Sequence, residues 1–217
     1  RKSGKIIGVG FTERYRKAIE YIISEALSGD MGTLTGGRAL VGTYMTLLCA
    51  KEPLYRTETF GSVILDYTHE LDILGAIFGR HKRIECFGNN LSSKKLKAKP
   101  SLTETLIEYE KGEIVSLHFD YIQEPQRRVL EIYGNQNTLI YDWEKDSLEI
   151  YSSDKPGYEV LAFKTIRDEL FIKEHNDMLD AIKHRSKPRV SGEEALRSLE
   201  CAGKMIRNLE RNLKRKP

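Results

Sequence analysis

Between Ser101 and Phe163 the chain carries six short runs of alternating or apolar residues with little between them. TETLIEYEKGEIVSLHFDYI reads as two strands around a Lys111-Gly112 turn. RRVLEIYG ends at Gly134, TLIYDW and LEIYSS follow across short polar turns, and Tyr158 to Phe163 closes the set. Strands joined this tightly have to pair antiparallel, because parallel neighbours need a crossover of about a dozen residues or more. This stretch therefore predicts an antiparallel meander.

Helical periodicity flanks the meander. Lys5 to Phe11, KIIGVGF, suits a short buried strand. Thr12 is then a candidate N-cap, and Ala18, Ile19, Ile22, Ile23, Ala26 and Leu27 recur at helical spacing until Ser28 and Gly29. LTGGRALVGTYM reads as a strand with bulging at Gly36 and Gly37, and Ile84 to Phe87 as another short strand. Near the end, Arg167 to Arg185 has helical spacing with Pro188 just beyond it. Ser191 caps a last helix, and Glu194 completes a capping box.

Helices before and after a run of antiparallel strands imply an α+β domain, an open and mainly antiparallel sheet with helices packed on one face. The other face has to meet water or a partner. Tyr109, Phe119, Tyr121 and Tyr133 are candidates for an oligomer interface there.

Composition removes several classes. Hydrophobic residues make up 40% and charged residues 31% of the chain, and no apolar run reaches the length of a membrane span. Acids and bases nearly balance at +3, with local basic clusters at Lys94 to Lys99 and Lys214 to Lys216 but no broad basic stripe interleaved with aromatics. Nucleic acid is not an expected partner. The three cysteines, Cys49, Cys86 and Cys201, have no CxxC spacing, and the five histidines have no zinc-site spacing. Reduced thiols, no bound metal and a cytoplasmic location are the expectation.

Chemistry concentrates in GSVILDYTHELDILGAIF, residues 61–78. Val63 to Leu65 reads as a buried strand running straight into a helix, with Asp66 and His69 at the junction. At about 3.6 residues per turn, Asp66, His69 and Glu70 share one helical face, while Leu71, Leu74 and Phe78 share another. Two accounts stand side by side: a polar face that meets a ligand, or a capping aspartate next to a histidine satisfied within the core.

Four segments carry a family resemblance: VGFTERY, GSVILDYTHELD, EIYGNQNTLIYDW and KPRVSGEEALRSLECAGKMI, in that order. They resemble the C-terminal domain of the Gfo/Idh/MocA family of NAD(P)-dependent oxidoreductases, of the dihydrodipicolinate-reductase-like C-terminal fold. PLYR, DYTHELD and QEPQRR resemble its members acting on sugars or sugar nucleotides. The resemblance implies a two-domain enzyme in which an N-terminal Rossmann domain, absent here, binds NAD or NADP. It further implies that residues 1–10 are a remnant of the last Rossmann strand and its linker, and residues 11–217 the substrate-binding and oligomerisation domain. The chain has neither a G-x-G-x-x-G after a strand nor the family's Glu-Lys-Pro motif, so by itself it is expected to be inactive.

The family's catalytic Asp and His map onto Asp66 and His69, with a step of three residues here where the family usually has four. Oxidising a hydroxyl needs a base, a task that suits His69, with Asp66 orienting the ring. Arg14 and Tyr15 match the family's Arg-aromatic pair and are candidates for substrate contact, the alternative for Arg14 being a surface salt bridge. Tyr55 and Arg56 lie in a segment expected to overhang the pocket. The sugar or sugar-nucleotide substrate and a homo-oligomer through the open sheet face are the implied partners. The competing account is a non-catalytic α+β binding or oligomerisation module.

Overall fold

The computed structural model describes residues 4–43, 62–89 and 100–214. The strands are β1 (Leu34–Gly42), β2 (His81–Asn89), β3 (Leu102–Tyr109), β4 (Ile114–Asp120), β5 (Arg127–Gly134), β6 (Asn137–Asp142), β7 (Ser147–Ser152) and β8 (Tyr158–Ala162). They form one open sheet in the order β2-β3-β4-β1-β5-β6-β7-β8. Every neighbouring pair is antiparallel except β1 and β4, which run parallel. The α+β class is as expected, and β3–β4 and β5 to β8 pair as the turn spacing predicts, but the single meander expected from Ser101 to Phe163 is broken between β4 and β5, where β1 is inserted.

β1 is threaded between β4 and β5, and the fit is tight. A Cβ on Gly36 would come within 2.0 Å of the Ile114 carbonyl oxygen, so a side chain there would push β4 away. The register against β5 shifts between Leu34 and Gly36, where bulging was expected.

The helices are α1 (Lys17–Ser28), α2 (Ser62–Asp66), α3 (Thr68–Phe78), α4 (Arg167–His184) and α5 (Gly192–Lys214), with a 3-10 turn at Thr12–Tyr15. α1, α3 and α5 cover one face of the sheet. Beneath them lie the inward residues of the strands, among them Val115, Leu117 and Phe119 of β4. α4 instead docks on the 3-10 turn and buries Leu170 and Ala181. Among the described residues, no helix is long and apolar enough to cross a membrane.

Local capping sets the helix ends. Thr12 does not cap α1: it opens the 3-10 turn, and Arg16 is the N-cap. Gly29, left-handed at φ 94°, ends α1. The capping box forms, with the Glu194 amide donating to Ser191 Oγ at 3.3 Å and the Ser191 amide to Glu194 Oε2 at 3.1 Å. The start of the described chain is tied to the same place. The Val9 amide donates to the Val190 carbonyl and the Gly192 amide to the Ile7 carbonyl, both at 3.1 Å.

Further expectations are overturned. Lys5 to Phe11 is not a buried strand: it makes an isolated bridge between Gly8 and Ser191 and leaves Ile7 and Val9 exposed, because it is paired on one side alone. Val63 to Leu65 is the middle of α2, not a strand; a three-residue apolar run bounded by polar residues packs equally well either way, and here Val63 and Ile64 are buried by a helical turn. Tyr109, Phe119 and Tyr121, assigned to the open face, point the other way into the core, which leaves Tyr133 of that group on the open face. Cys86 and Cys201 are free, buried thiols, pushed up to about 11 and about 12 chiefly by burial. Cys49 lies outside the described residues.

α5 also closes the β2 edge of the sheet. Asn208 accepts from the Cys86 amide at 2.7 Å and donates to the Ile84 carbonyl at 3.1 Å, while Asn212 donates to the Cys86 carbonyl at 3.0 Å. These are the outward backbone groups that an edge strand leaves unpaired. Asn208→Leu strands one buried donor and one buried acceptor, and should lower the unfolding free energy by about 2 kcal/mol in urea titrations while leaving the circular dichroism of the folded state little changed.

Candidate active site

α2 and α3 meet at Tyr67, whose backbone (φ −104°, ψ 31°) interrupts the helix. The Tyr67 hydroxyl shares a 2.5 Å hydrogen bond with Thr43 Oγ1 and donates to the Asp120 carbonyl at 3.2 Å, pinning the break to the ends of β1 and β4. Because of that break, Asp66, His69 and Glu70 do not share a face as a continuous helix would require. Asp66, the last residue of α2, turns to Tyr121, whose hydroxyl donates to its Oδ2. His69 lies edge-on to Phe11, with ring centroids 5.4 Å apart. Glu70 points down to the sheet.

His69 is half-buried, and its Nδ1 is closed off from solvent without a hydrogen-bond partner among the described residues. Burial holds the ring below its ordinary value; Glu70 and Glu13 pull upward and Arg128 pushes further down. Asp66 moves the other way: burial raises its carboxyl, and the Tyr121 hydrogen bond partly offsets this. No hydrogen bond joins Asp66 to His69, so the ring is not oriented by that carboxylate.

Beneath His69 lies a charge network that the sequence does not announce. Arg128 of β5 donates from Nε to Glu70 Oε1 at 2.6 Å, and Nη2 lies 2.5 Å from the same oxygen. Its guanidinium stacks on the Trp143 ring, 4.5 Å from the centroid, and Trp143 Nε1 donates to Glu13 Oε2 at 2.9 Å. Arg16 Nε donates to the same Glu13 oxygen at 2.7 Å. Burial opposes the Glu13 charge, yet Arg16, Arg128 and Trp143 together hold the carboxyl down to about 2. Two glutamates and two arginines thus balance, each with directed hydrogen bonds. The i,i+3 spacing of Glu13 and Arg16 is the one local signal for it; Arg128 and Trp143, more than a hundred positions from Glu13, carry none.

The other expected contacts go elsewhere. Arg14 is buried at 8% exposure and faces Asp72 of α3, at 3.4 Å from Oδ2, and Glu194 of α5, at 3.7 Å; the salt bridge is real but internal. Tyr15, 3% exposed, donates to Asp177 Oδ2 at 2.9 Å and is covered by the Arg189 guanidinium. Neither meets His69 or Asp66. Tyr55 and Arg56 lie outside the described residues. No group of three or more potential metal ligands forms among the described residues.

Residues 44–212 match the family model for "Oxidoreductase family, C-terminal alpha/beta domain". No curated protein matches the chain. Solved structures share the fold at low identity. A levoglucosan dehydrogenase in complex with NADH and levoglucosan is 15% identical at a TM-score of 0.83, covering 96% of this chain and 65% of its own. An inositol dehydrogenase homolog from Azotobacter vinelandii, complexed with NADH and myo-inositol, is 14% identical at 0.81, covering 97% and 64%. A UDP-N-acetylglucosamine 3-dehydrogenase from Acidithiobacillus ferrooxidans is 17% identical at 0.77, covering 94% and 62%. The chain thus spans less than two thirds of the length of these structures.

Arg128→Met removes the cation from two carboxylates, one of them 3% exposed, and should destabilise the fold by about 3 kcal/mol in urea unfolding. Glu13, held at about 2, contributes stability that is present above its unfolded value of 4.5 and lost as pH falls through that interval; Glu13→Gln should flatten the corresponding acid limb of the stability profile.

Proposed function

The chain belongs to the Gfo/Idh/MocA oxidoreductase family, and from that membership we propose that it forms the substrate side of an NAD- or NADP-dependent dehydrogenase acting on a sugar or sugar nucleotide. The observation that carries this reading is His69: a half-buried histidine at a helix start, its Nδ1 without a partner among the described residues and its imidazole held by burial below the ordinary histidine value. A neutral imidazole accepts a proton, which is what oxidation of a hydroxyl requires.

The described residues contain no glycine-rich strand-turn-helix to cradle a dinucleotide, so the cofactor is assigned to a Rossmann domain outside this chain. When bound, the nicotinamide supplies the hydride acceptor. His69 takes the hydroxyl proton. Asp66 accepts a substrate hydroxyl on the carboxylate that Tyr121 holds in place. Arg128 and Glu70, paired under α3, keep the helix start at a set height above the sheet and set the field at the ring. Tyr55 and Arg56 complete the proposed substrate contacts, while Arg14 and Tyr15, turned to Asp72 and Asp177, are left out of them.

In this reading residues 1–10 form the end of the cofactor domain and its linker. Ile7 and Val9 fit that assignment: they expose apolar side chains, at 62% and 36%, in a segment paired on one side to residues 190–192. The open sheet face, with Leu106 and Ile114 at 55% and 58% exposure on adjacent strands, is assigned to a second copy of the chain.

His69→Ala in the full-length enzyme is expected to lower turnover by at least about a hundredfold with cofactor binding nearly intact. Unchanged turnover would remove His69 as the base. In the unmodified enzyme the rate of substrate oxidation should rise with pH through a midpoint below the ordinary histidine value and then level off, because the proton acceptor has to be unprotonated. Ile114→Asp should shift sedimentation toward a smaller species; an unaltered sedimentation coefficient refutes the open-face interface.

A further inference from the structure

At the end of α3 opposite His69, a cavity of about 380 Å³ opens between α1, the β3–β4 turn and the first turns of α5. That volume lies in the range small organic ligands occupy. Its inner wall includes the Arg14 guanidinium, which is buried without a short partner. The contacts to Asp72 measure 3.4 and 3.5 Å and that to Glu194 3.7 Å, whereas a charge-assisted hydrogen bond settles near about 2.8 Å. The Arg14–Asp72 pair is therefore a long one, and burial pushes the Asp72 carboxyl up to about 7, with Arg14 pulling it down and Glu194 pushing it further up.

A second observation points to the same space. Gly75 sits inside α3 and lines the cavity, and a Cβ built on it meets nothing within 4 Å. An interior helical glycine costs roughly 0.5–1 kcal/mol relative to alanine, and no neighbouring atom at this position requires it. What glycine provides here is open volume beside Arg14. The remaining walls divide by chemistry. Ile23, Leu27 and Phe78 are apolar, while Arg80, Lys111 and Arg197 surround the entrance together with Glu110. Lining cations outnumber lining acids by four to three, with the only buried cation at the base.

We propose that this cavity binds a small organic monoanion, a carboxylate on an apolar body, with the carboxylate on Arg14 and the body against Ile23 and Phe78. The site is separate from His69 and does not depend on the dehydrogenase assignment.

Phenylacetate and its uncharged isostere phenylacetamide, titrated into the full chain and followed by amide NMR shifts, test it. Phenylacetate is expected to saturate shifts at Gly75, Gly79 and Arg80 with a Kd of about 1 mM or tighter, and phenylacetamide to bind at least about tenfold more weakly. Arg14→Ala strands buried Asp72 and risks unfolding, so the decisive variant is Gly75→Leu, which grows into open space and suits a helix. It should weaken phenylacetate at least about tenfold. Absence of saturable shifts, equal binding of the amide, or unchanged binding in Gly75→Leu each overturns the proposal.

Discussion

The pairing of Glu70 with Arg128 is the interaction on which the arrangement of the site depends. A carboxylate this deeply buried is tolerated only where its charge is met directly, and Arg128 meets it with two short contacts from the middle of the sheet. Glu70 follows His69 in the chain, so fixing one fixes the height and rotation of the other. Glu13, Arg16 and Trp143 extend the same network to the 3-10 turn, which carries Phe11 against the His69 ring. One electrostatic knot thus joins the 3-10 turn, the helix, β5 and the β6–β7 turn, and the candidate base stands on top of it.

Two pieces of the meander, β3–β4 and β5 to β8, were legible because their signals are local, whereas the insertion of β1 between β4 and β5 has no local signal. Strand alternation, a Lys-Gly turn and short connections sit within a few residues of one another, and antiparallel pairing follows from connection length alone. The capping box at Ser191 and Glu194 was legible for the same reason. Val63 to Leu65 was not, since three apolar residues satisfy either period and tertiary burial decides between them. The tyrosines show a related limit. Alternation says that Tyr109 and Phe119 share a face with their neighbours two positions away, but which face meets the helices depends on where α3 and α5 lie.

The site was legible only in part. His69 was singled out from its place near a helix start, and it stands there half-buried. Asp66 was expected to work with it through a shared helical face, an inference that assumed an unbroken helix; Tyr67 breaks it, because its hydroxyl is drawn to the ends of β1 and β4. Arg14, read as a substrate contact with a surface salt bridge as the alternative, lies inside the fold in an ion pair. Its partners, Asp72 and Glu194, lie on two different helices, and nothing in a linear pattern marks such a meeting.

The asparagines of α5 over β2 have a consequence for how sheets of this chain can add to one another. With the Ile84–Cys86 stretch of one border already hydrogen-bonded to the chain's own helix, border-to-border growth is left with β8, whose residues are mostly exposed. A sheet that can be extended from one side alone stops at a pair. Ladder addition between copies is therefore opposed at the middle of β2, where two amide side chains already occupy the backbone groups a further strand would use.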